Sequence, residues 1–462
     1  MTNNQHPIDH QPQLNEGAPV SANTGPEGRD SENRDPESRD FEAGSWRGRL
    51  AEVLGPGLIT GASDDDPSGI ATYSQAGAQF GYAQTWVIFF SYPLMVAAQL
   101  VSARIGRVTG HGIAGVLRAH YPVWLLQSMV LLLFIANVIN LGADLGAMAD
   151  AVTLLFPAPR VVLVLGFGGL CIWMQIFLQY SRYVAILKWL TVSLFAYVGT
   201  VLIVQVDWTQ LASDLFIPRM RWEKDYITTV VAVLGTTISP YLFFWQSSEE
   251  AEDIVAYPRR MDLIAAPEQG DVAMSRIEWD TWVGMGLSNV IAMAIMVTTA
   301  ATLHVNGITD VQTSAQAAEA LKPLAGHFAF LLFTLGIVGT GLLAVPVLGG
   351  SAAYALGEAR NWPIGLSKLP KQAVAFYGTL ALATVVGMIL CFLPIDPIAA
   401  LYWSAVINGV IAVPLMVVMM LVVARKDIMG LFAARGALLI GGWIATAVMA
   451  VAVIAMFATY FL

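Results

Sequence analysis

The sequence predicts an all-α polytopic membrane protein of about eleven transmembrane helices, arranged as two inverted five-helix repeats whose first helices are broken, plus one extra helix. Three observations predict it. Of 462 residues, 56% are hydrophobic and only 12% charged, where a soluble domain carries about 25% charge. Apolar runs matching the roughly 20 residues needed to cross a bilayer recur along the whole chain. Two of those runs, the first and the sixth, are interrupted by proline beside polar residues. Paired interruptions at corresponding places in two halves point to an inverted-repeat membrane fold with a site at its midplane.

The expected segments, in order, are 50–80 (broken), 84–104, 122–150, 160–180, 184–206, 226–248 (broken), 281–304, 326–350, 372–394, 397–424 and 437–460. They divide into a first repeat, 47–206, a second repeat, 226–424, and the extra helix, 437–460, within a membrane domain of residues 47–462. Residues 1–46 are rich in Asn, Gln, Pro, Gly and acids, with few large apolar side chains, and are expected to be a disordered cytosolic tail. The tail lacks the basic start and apolar core of a signal peptide. With the N-terminus inside, sixteen lysines and arginines fall on inner loops and segment ends and five on outer ones; three more in the tail complete the total of 24. Basic residues favour the cytoplasmic side, so this asymmetry predicts a cytoplasmic N-terminus and an outside C-terminus. The net charge of −9 argues against nucleic acid as a partner. Cys171 and Cys391 lie in apolar runs and read as small buried residues, with no disulfide framework.

The first interruption reads Asp64-Asp65-Asp66-Pro67-Ser68-Gly69. A carboxylate at membrane depth costs about 2.5–3.5 kcal/mol even on the mildest insertion scale. Proline removes a helix donor and clashes with the preceding turn, so the helix is expected to break here, leaving carbonyls that attract a cation beside Asp66. The alternative for Asp66 is a helix-capping carboxylate facing an aqueous vestibule. Asp64 and Asp65 are read as lining a water-filled entrance that attracts cations or as capping the second half-helix, with a direct ligand role for either as the lesser alternative. The second interruption reads Gly235-Thr236-Thr237-Ile238-Ser239-Pro240-Tyr241, where small hydroxyl residues precede the proline and can line a polar gap.

These residues carry a family resemblance. Gly55-Pro56-Gly57, Asp66-Pro67-Ser68-Gly69-Ile70-Ala71-Thr72 and Gln75-Ala76-Gly77-Ala78-Gln79-Phe80-Gly81-Tyr82 resemble the first helix of the Nramp family of divalent-metal transporters, marked there by Asp-Pro-Gly-Asn. Gly235 to Pro240 is similar to the family's sixth-helix motif, Ala-Thr-x-Met-Pro-His. The resemblance covers roughly residues 47–460 and implies a LeuT-type fold. It also implies a bacterial inner-membrane location and a metal site at Asp66, Gly69, Thr236 and Ser239, with Thr236 lending its backbone carbonyl.

The departures have a chemical direction. The family's Asn falls on Gly69, its Met on Ser239, its His after the proline on Tyr241 and a second His on Gln246. In the third segment Asp144 is retained, while two other family acids fall on Asn137 and Ala147. Thioether sulfur selects soft transition metals, whereas carboxylate, carbonyl and water suit Mg²⁺. Smaller side chains at 69 and 239 are expected to widen the site for a Mg²⁺ ion that keeps part of its water shell. The chain thus resembles the Nramp-related magnesium-transporter branch, with Mn²⁺ also accepted. The missing histidines predict transport uncoupled from protons or weakly coupled; Asp144 with Asp64 or Asp65 is the competing relay.

Tyr241, Gln246, Asn137, Asp144 and Asn408 are further pathway candidates, with helix packing as the alternative for Gln246, Asn137 and Asn408. Asn140 reads as a packing residue, with lining the pathway as the lesser alternative. Glu249, Glu250, Glu252 and Asp253 read as a solvated cytosolic face, His111, His120, His304 and His327 as surface or interface residues, and Gly336, Gly339 and Gly341 as close helix packing. The metal is cargo; no resident cofactor is expected, and the partners are Mg²⁺ or Mn²⁺ and the lipid bilayer around a monomer. Alternatives are a proton-coupled Mn²⁺ or Fe²⁺ importer and a sodium-coupled amino-acid symporter. An intramembrane enzyme is disfavoured, because there is no nucleophile with a base partner, no His-rich zinc motif and no Walker loop.

Overall fold

The computed structural model describes residues 60, 61, 63–178, 192–257 and 259–461. The expected tail, the start of segment 50–80 and residues 184–191 of the fifth segment lie outside them. The described residues form helices joined by short turns, with no strand among them. The principal helices are α1 (Pro67–Phe80), α2 (Thr85–Thr109), α3 (Ile113–His120), α4 (Val123–Thr153), α5 (Arg160–Phe177), α6 (Phe195–Ile203) and α7 (Trp208–Phe216). They continue as α8 (Lys224–Thr237), α9 (Pro240–Ala256), α10 (Gly270–Thr299), α11 (Ala329–Arg360), α12 (Val374–Leu390), α13 (Pro397–Ala424) and α14 (Gly436–Thr459).

Among the described residues eight helical stretches are long and apolar enough to cross a membrane, or nine if Val192–Ile203 and Trp208–Phe216, bent by 117°, make one span. Among the described residues the expected segments do not all appear as separate long helices. Segments 50–80 and 84–104 share the stretch Pro67–Thr109, joined at the 3-10 turn Gly81–Gln84. Segment 372–394 narrows to the shorter α12.

Two boundaries move for a tertiary reason. Segment 281–304 begins earlier, at Gly270, and 326–350 runs on to Arg360. An apolar-run reading stops at charges, yet Arg276 is paired with Glu250 at 2.7 Å and Glu358 accepts the Gly112 and Gly115 backbone N–H groups at 2.6 and 2.9 Å. The helices can then continue through these charges. The same pairing corrects the reading of Glu249, Glu250, Glu252 and Asp253 as a solvated face. Glu250 is fully buried, Asp253 accepts from Arg260 and Arg276, and Glu252 accepts from the Tyr354 hydroxyl and the Leu366 and Ser367 N–H groups.

The α8–α9 pair is buried throughout its apolar window, whereas only 28% of the corresponding windows of α5 and α14 is buried. The broken sixth segment is thus the centre of the bundle and the other two are its periphery. Glycines let backbones meet at that centre. A Cβ on Gly235 would stand 2.1 Å from the Ala405 carbonyl oxygen of α13, and one on Gly77 would stand 2.3 Å from the Met296 carbonyl oxygen of α10. In α11, a Cβ on Gly341 would meet the Met148 sulfur at 2.5 Å and one on Gly336 would meet Leu194 at 3.1 Å, so these glycines do serve close packing. α1 packs against α4, α8, α10 and α13, which brings the two breaks together. Cys171 and Cys391 are buried and free, as read from the sequence.

Candidate functional site

The chain is helical at Ser63 and Asp64 and breaks at Asp65–Asp66 before α1 begins at Pro67. Asp66, in an extended conformation, caps α1. Its Oδ1 accepts the Ser68 hydroxyl at 2.6 Å and the Gly69 N–H at 2.8 Å. From other helices, the Asn140 amide of α4 and the Tyr241 hydroxyl of α9 donate to its Oδ2 at 3.1 and 3.2 Å. Asp66, not Asp64 or Asp65, is therefore the capping carboxylate.

Proline removes one backbone donor at each break. Pro67 has no N–H for the carbonyl four residues back, that of Ser63, and Pro240 likewise has none for that of Thr236. Both carbonyls take a hydroxyl instead. Tyr241 donates to Ser63 O at 3.0 Å, and Ser239 lies 2.8 Å from Thr236 O and 2.9 Å from Gly235 O. A hydroxyl has one proton to donate, so each shared pair keeps acceptor capacity in hand. The site is thus two half-helix ends facing one carboxylate, lined by oxygen.

A carboxylate offers about four acceptor positions; Ser68, Gly69 and Asn140 fill three, and the Tyr241 hydroxyl has one proton to share between Asp66 and Ser63 O. A cation can take the position Tyr241 leaves open or displace the Asn140 amide. Asn140 is suited to yielding: its Oδ1 is buried and has no partner among the described residues, so rotating the amide would offer oxygen where it now offers N–H. The Thr236 and Tyr73 hydroxyls are likewise buried and face each other, with no further hydrogen-bond partner among the described residues. Such orphaned oxygens fit a site that a hydrated cation completes.

The expectation that Gly69 widens the site needs correction. A Cβ there would lie 3.2 Å from the Thr236 hydroxyl, 3.2 Å from the Tyr73 ring and 3.4 Å from the Asp64 carbonyl oxygen. The space a larger residue would take is already closed by Tyr73 and Thr236. What Gly69 contributes is its N–H on Asp66.

Asp64 and Asp65 are 0% and 3% exposed, so they do not line a water-filled entrance in this conformation. Both face the Ser288 hydroxyl of α10, which lies 2.6 Å from Asp64 Oδ2 and 3.1 Å from Asp65 Oδ1. Asp144, one turn beyond Asn140 on α4, is buried with both oxygens unpartnered among the described residues. Asn137 instead donates to Leu348 O and Ser351 of α11, at 2.9 and 3.1 Å, which is a packing role. Gln246 accepts from Thr60, and its Nε2 lies 3.5 Å from Glu250. Asn408 is buried beside Gly409, its NH₂ unpartnered among the described residues. Of the four histidines, His304 makes an interface contact, its Nδ1 lying 2.8 Å from Ala78 O. At the opposite end of α8 from the Arg276 network, a cavity of about 530 Å³ is lined by Asp225, Asp310, Asp396, Gln75 and Gln79.

Asn140, Ser68, Tyr73 and Ser288 were not among the site residues read from the sequence. For Asn140 a signal existed, the spacing of four to Asp144 that puts both on one helix face. Ser288 had none, because only tertiary packing brings it to the first break. Among the described residues no three His, Cys, Asp or Glu side chains converge to hold a metal, so any cation here relies on hydroxyl, amide, carbonyl and water oxygens as well.

Two broken helices meeting at mid-bundle around the buried Asp66 carboxylate define a multi-pass membrane transport protein. The Nramp family model ("Natural resistance-associated macrophage protein-like") matches residues 57–459, and the chain belongs to that family. The chain is 28% identical over 314 residues to the divalent metal cation transporter MntH of Klebsiella pneumoniae (strain 342), covering 64% of this chain and 69% of that one. Among solved structures it is similar to the manganese transporter of Eremococcus coleocola, with a TM-score of 0.69 at 17% identity over 91% of this chain and 90% of that one. It is also similar to the nucleobase-cation-symport-1 family transporter Mhp1 in a closed conformation, with a TM-score of 0.53 at 13% identity over 88% of this chain and 92% of that one. These likenesses establish the all-helical, LeuT-like fold.

Proposed function

We propose that the chain carries divalent metal ions by alternating access around Asp66, favouring Mg²⁺, accepting Mn²⁺, and working without proton coupling or with weak coupling. The observation that carries this reading is the Asp66 carboxylate at the meeting of two proline-broken helices, beside the Ser63 and Thr236 carbonyls that lack their regular backbone donors. The C-terminal ends of half-helices carry negative partial charge, which stabilises cations. A divalent cargo is supported by the family and by the names of the MntH relative and the manganese-transporting fold neighbour. The preference for Mg²⁺ rests on donor type. The family's sulfur position is Ser239, and the groups around Asp66 are hydroxyls, an amide and a backbone N–H. Hard oxygen donors suit a Mg²⁺ ion that retains waters.

In this reading Asp66 binds the ion, Asn140 and Tyr241 turn from Asp66 to the ion or its waters, and the half-helices α1 and α8 move against α10 and α13. The cavity at Asp225, Asp310 and Asp396 is the outer mouth, and the Arg276 network closes the cytosolic end. We place the chain in a bacterial inner membrane as a monomer, with its N-terminus cytoplasmic and its C-terminus outside. The metal is cargo and we propose no resident cofactor.

A second reading, a proton-coupled Mn²⁺ or Fe²⁺ importer, is favoured by one observation: Asp144 is buried without a partner among the described residues, on the α4 face that carries Asn140. Reconstituted vesicles holding a pH-sensitive dye separate the two. Mg²⁺ uptake without internal acidification is expected; metal-driven acidification would favour the second reading, and absent Mg²⁺ uptake would sink the magnesium preference. In the same vesicles, Ser239→Met is expected to raise Cd²⁺ or Mn²⁺ uptake several-fold relative to Mg²⁺ by placing sulfur at the second break. An unchanged preference would show that position 239 does not set selectivity.

A further inference from the structure

Asp64 and Asp65 are buried side chains that the Asp66 site does not use. Both turn to one hydroxyl, Ser288 of α10. That hydroxyl has one proton to give, so it cannot satisfy two carboxylates. Asp64 Oδ1 is buried and accepts no hydrogen bond, and no basic side chain pairs with either residue among the described residues. The helical turn at Ser63 and Asp64 also ends here, and a helix C-terminus presents negative partial charge. Two carboxylates at a helix C-terminus, with no basic side chain paired to them among the described residues, form an arrangement that lacks positive charge. A hard divalent ion supplies it, because two carboxylates and a hydroxyl are oxygen donors such an ion takes, with water completing its shell.

We propose that Asp64, Asp65 and Ser288 form a second divalent-cation site, next to Asp66 on the route toward the cytosol. It deepens the metal-transport reading and rests on it. Thr60, four residues before Asp64, donates to Gln246, whose Nε2 lies 3.5 Å from Glu250, the partner of Arg276. An ion released from Asp66 moves onto the Asp64–Asp65 pair while Asp66 is free to load another, so the two ions repel and exit is favoured.

The test counts Mn²⁺ bound to the purified full-length protein in detergent by equilibrium dialysis, with Mn²⁺ electron paramagnetic resonance on the same samples. Wild type is expected to bind two Mn²⁺ per chain with dipolar broadening of the spectrum. Asp65→Asn and Asp66→Asn are each expected to bind one, without broadening. Ser288→Ala, which removes only a hydroxyl, is expected to keep both sites and weaken one about tenfold, the effect of losing ~1.4 kcal/mol. One Mn²⁺ per wild-type chain, unchanged in Asp65→Asn, would overturn the second site, as would an extra ion that proves to be Na⁺ alone or a proton. Vesicle uptake by Asp66→Asn is read separately: wild-type uptake there would remove Asp66 as the transport site without deciding the ion count.

Discussion

Replacing Asp66 with alanine is expected to abolish most metal uptake. The change removes the carboxylate that caps α1 at the meeting of the two breaks and leaves the Ser68 and Tyr241 hydroxyls, the Asn140 amide and the Gly69 N–H without it as acceptor. A charge-assisted contact contributes about 1.5–3 kcal/mol, so uptake at sub-saturating metal should fall by roughly 10- to 150-fold from the ligand term alone. Initial rates of Mg²⁺ and Mn²⁺ entry into vesicles, normalised to inserted protein, measure it. Asp66→Asn keeps the shape and an oxygen but loses the charge. If it recovers little, the charge matters more than the oxygen count. If Asp66→Ala transports at the wild-type rate, the ion passes elsewhere.

The largest expected effect on stability is at Arg276. Its guanidinium reaches Glu250 at 2.7 Å and Asp253 at 3.3 Å; Glu250 is fully buried and Arg276 itself is 14% exposed. Removing one partner of a buried pair leaves an uncompensated charge, at a cost of about 3–5 kcal/mol. Arg276→Ala is therefore expected to lower the melting temperature in detergent by several degrees, read by loss of the monodisperse peak after heating. Arg276→Met combined with Glu250→Gln removes both charges and should recover most of that loss, which distinguishes a buried ion pair from packing by the arginine stem. Equal melting of Arg276→Ala and wild type would mean the pair contributes nothing to the fold.

The two breaks were legible because proline acts locally. Pro67 and Pro240 remove a donor whatever surrounds them, and Asp66 beside Pro67 stands out as a charge in an apolar run. The ends of α10 and α11 were not legible, since Arg276 and Glu358 look like surface charges until their partners on α9 and before α3 are known. Gly69 misled for a related reason. Loss of a side chain reads as open space in one dimension, but Tyr73 and Thr236 close it. Asn140 lay one turn from Asp144 and could be placed on the same face, yet only the crossing of α4 over α1 turns that face toward Asp66.

By itself the sequence determined a helical membrane protein with two proline-broken segments and a carboxylate beside the first of them. Hydrophobicity and proline chemistry act on each residue where it stands, so those features need no neighbour from elsewhere in the chain. The tertiary structure alone decided how the breaks meet, which hydroxyls replace the donors missing from Ser63 and Thr236, and that Ser288 faces both Asp64 and Asp65. Those are contacts between residues far apart in sequence, made by helix crossings that no local pattern encodes.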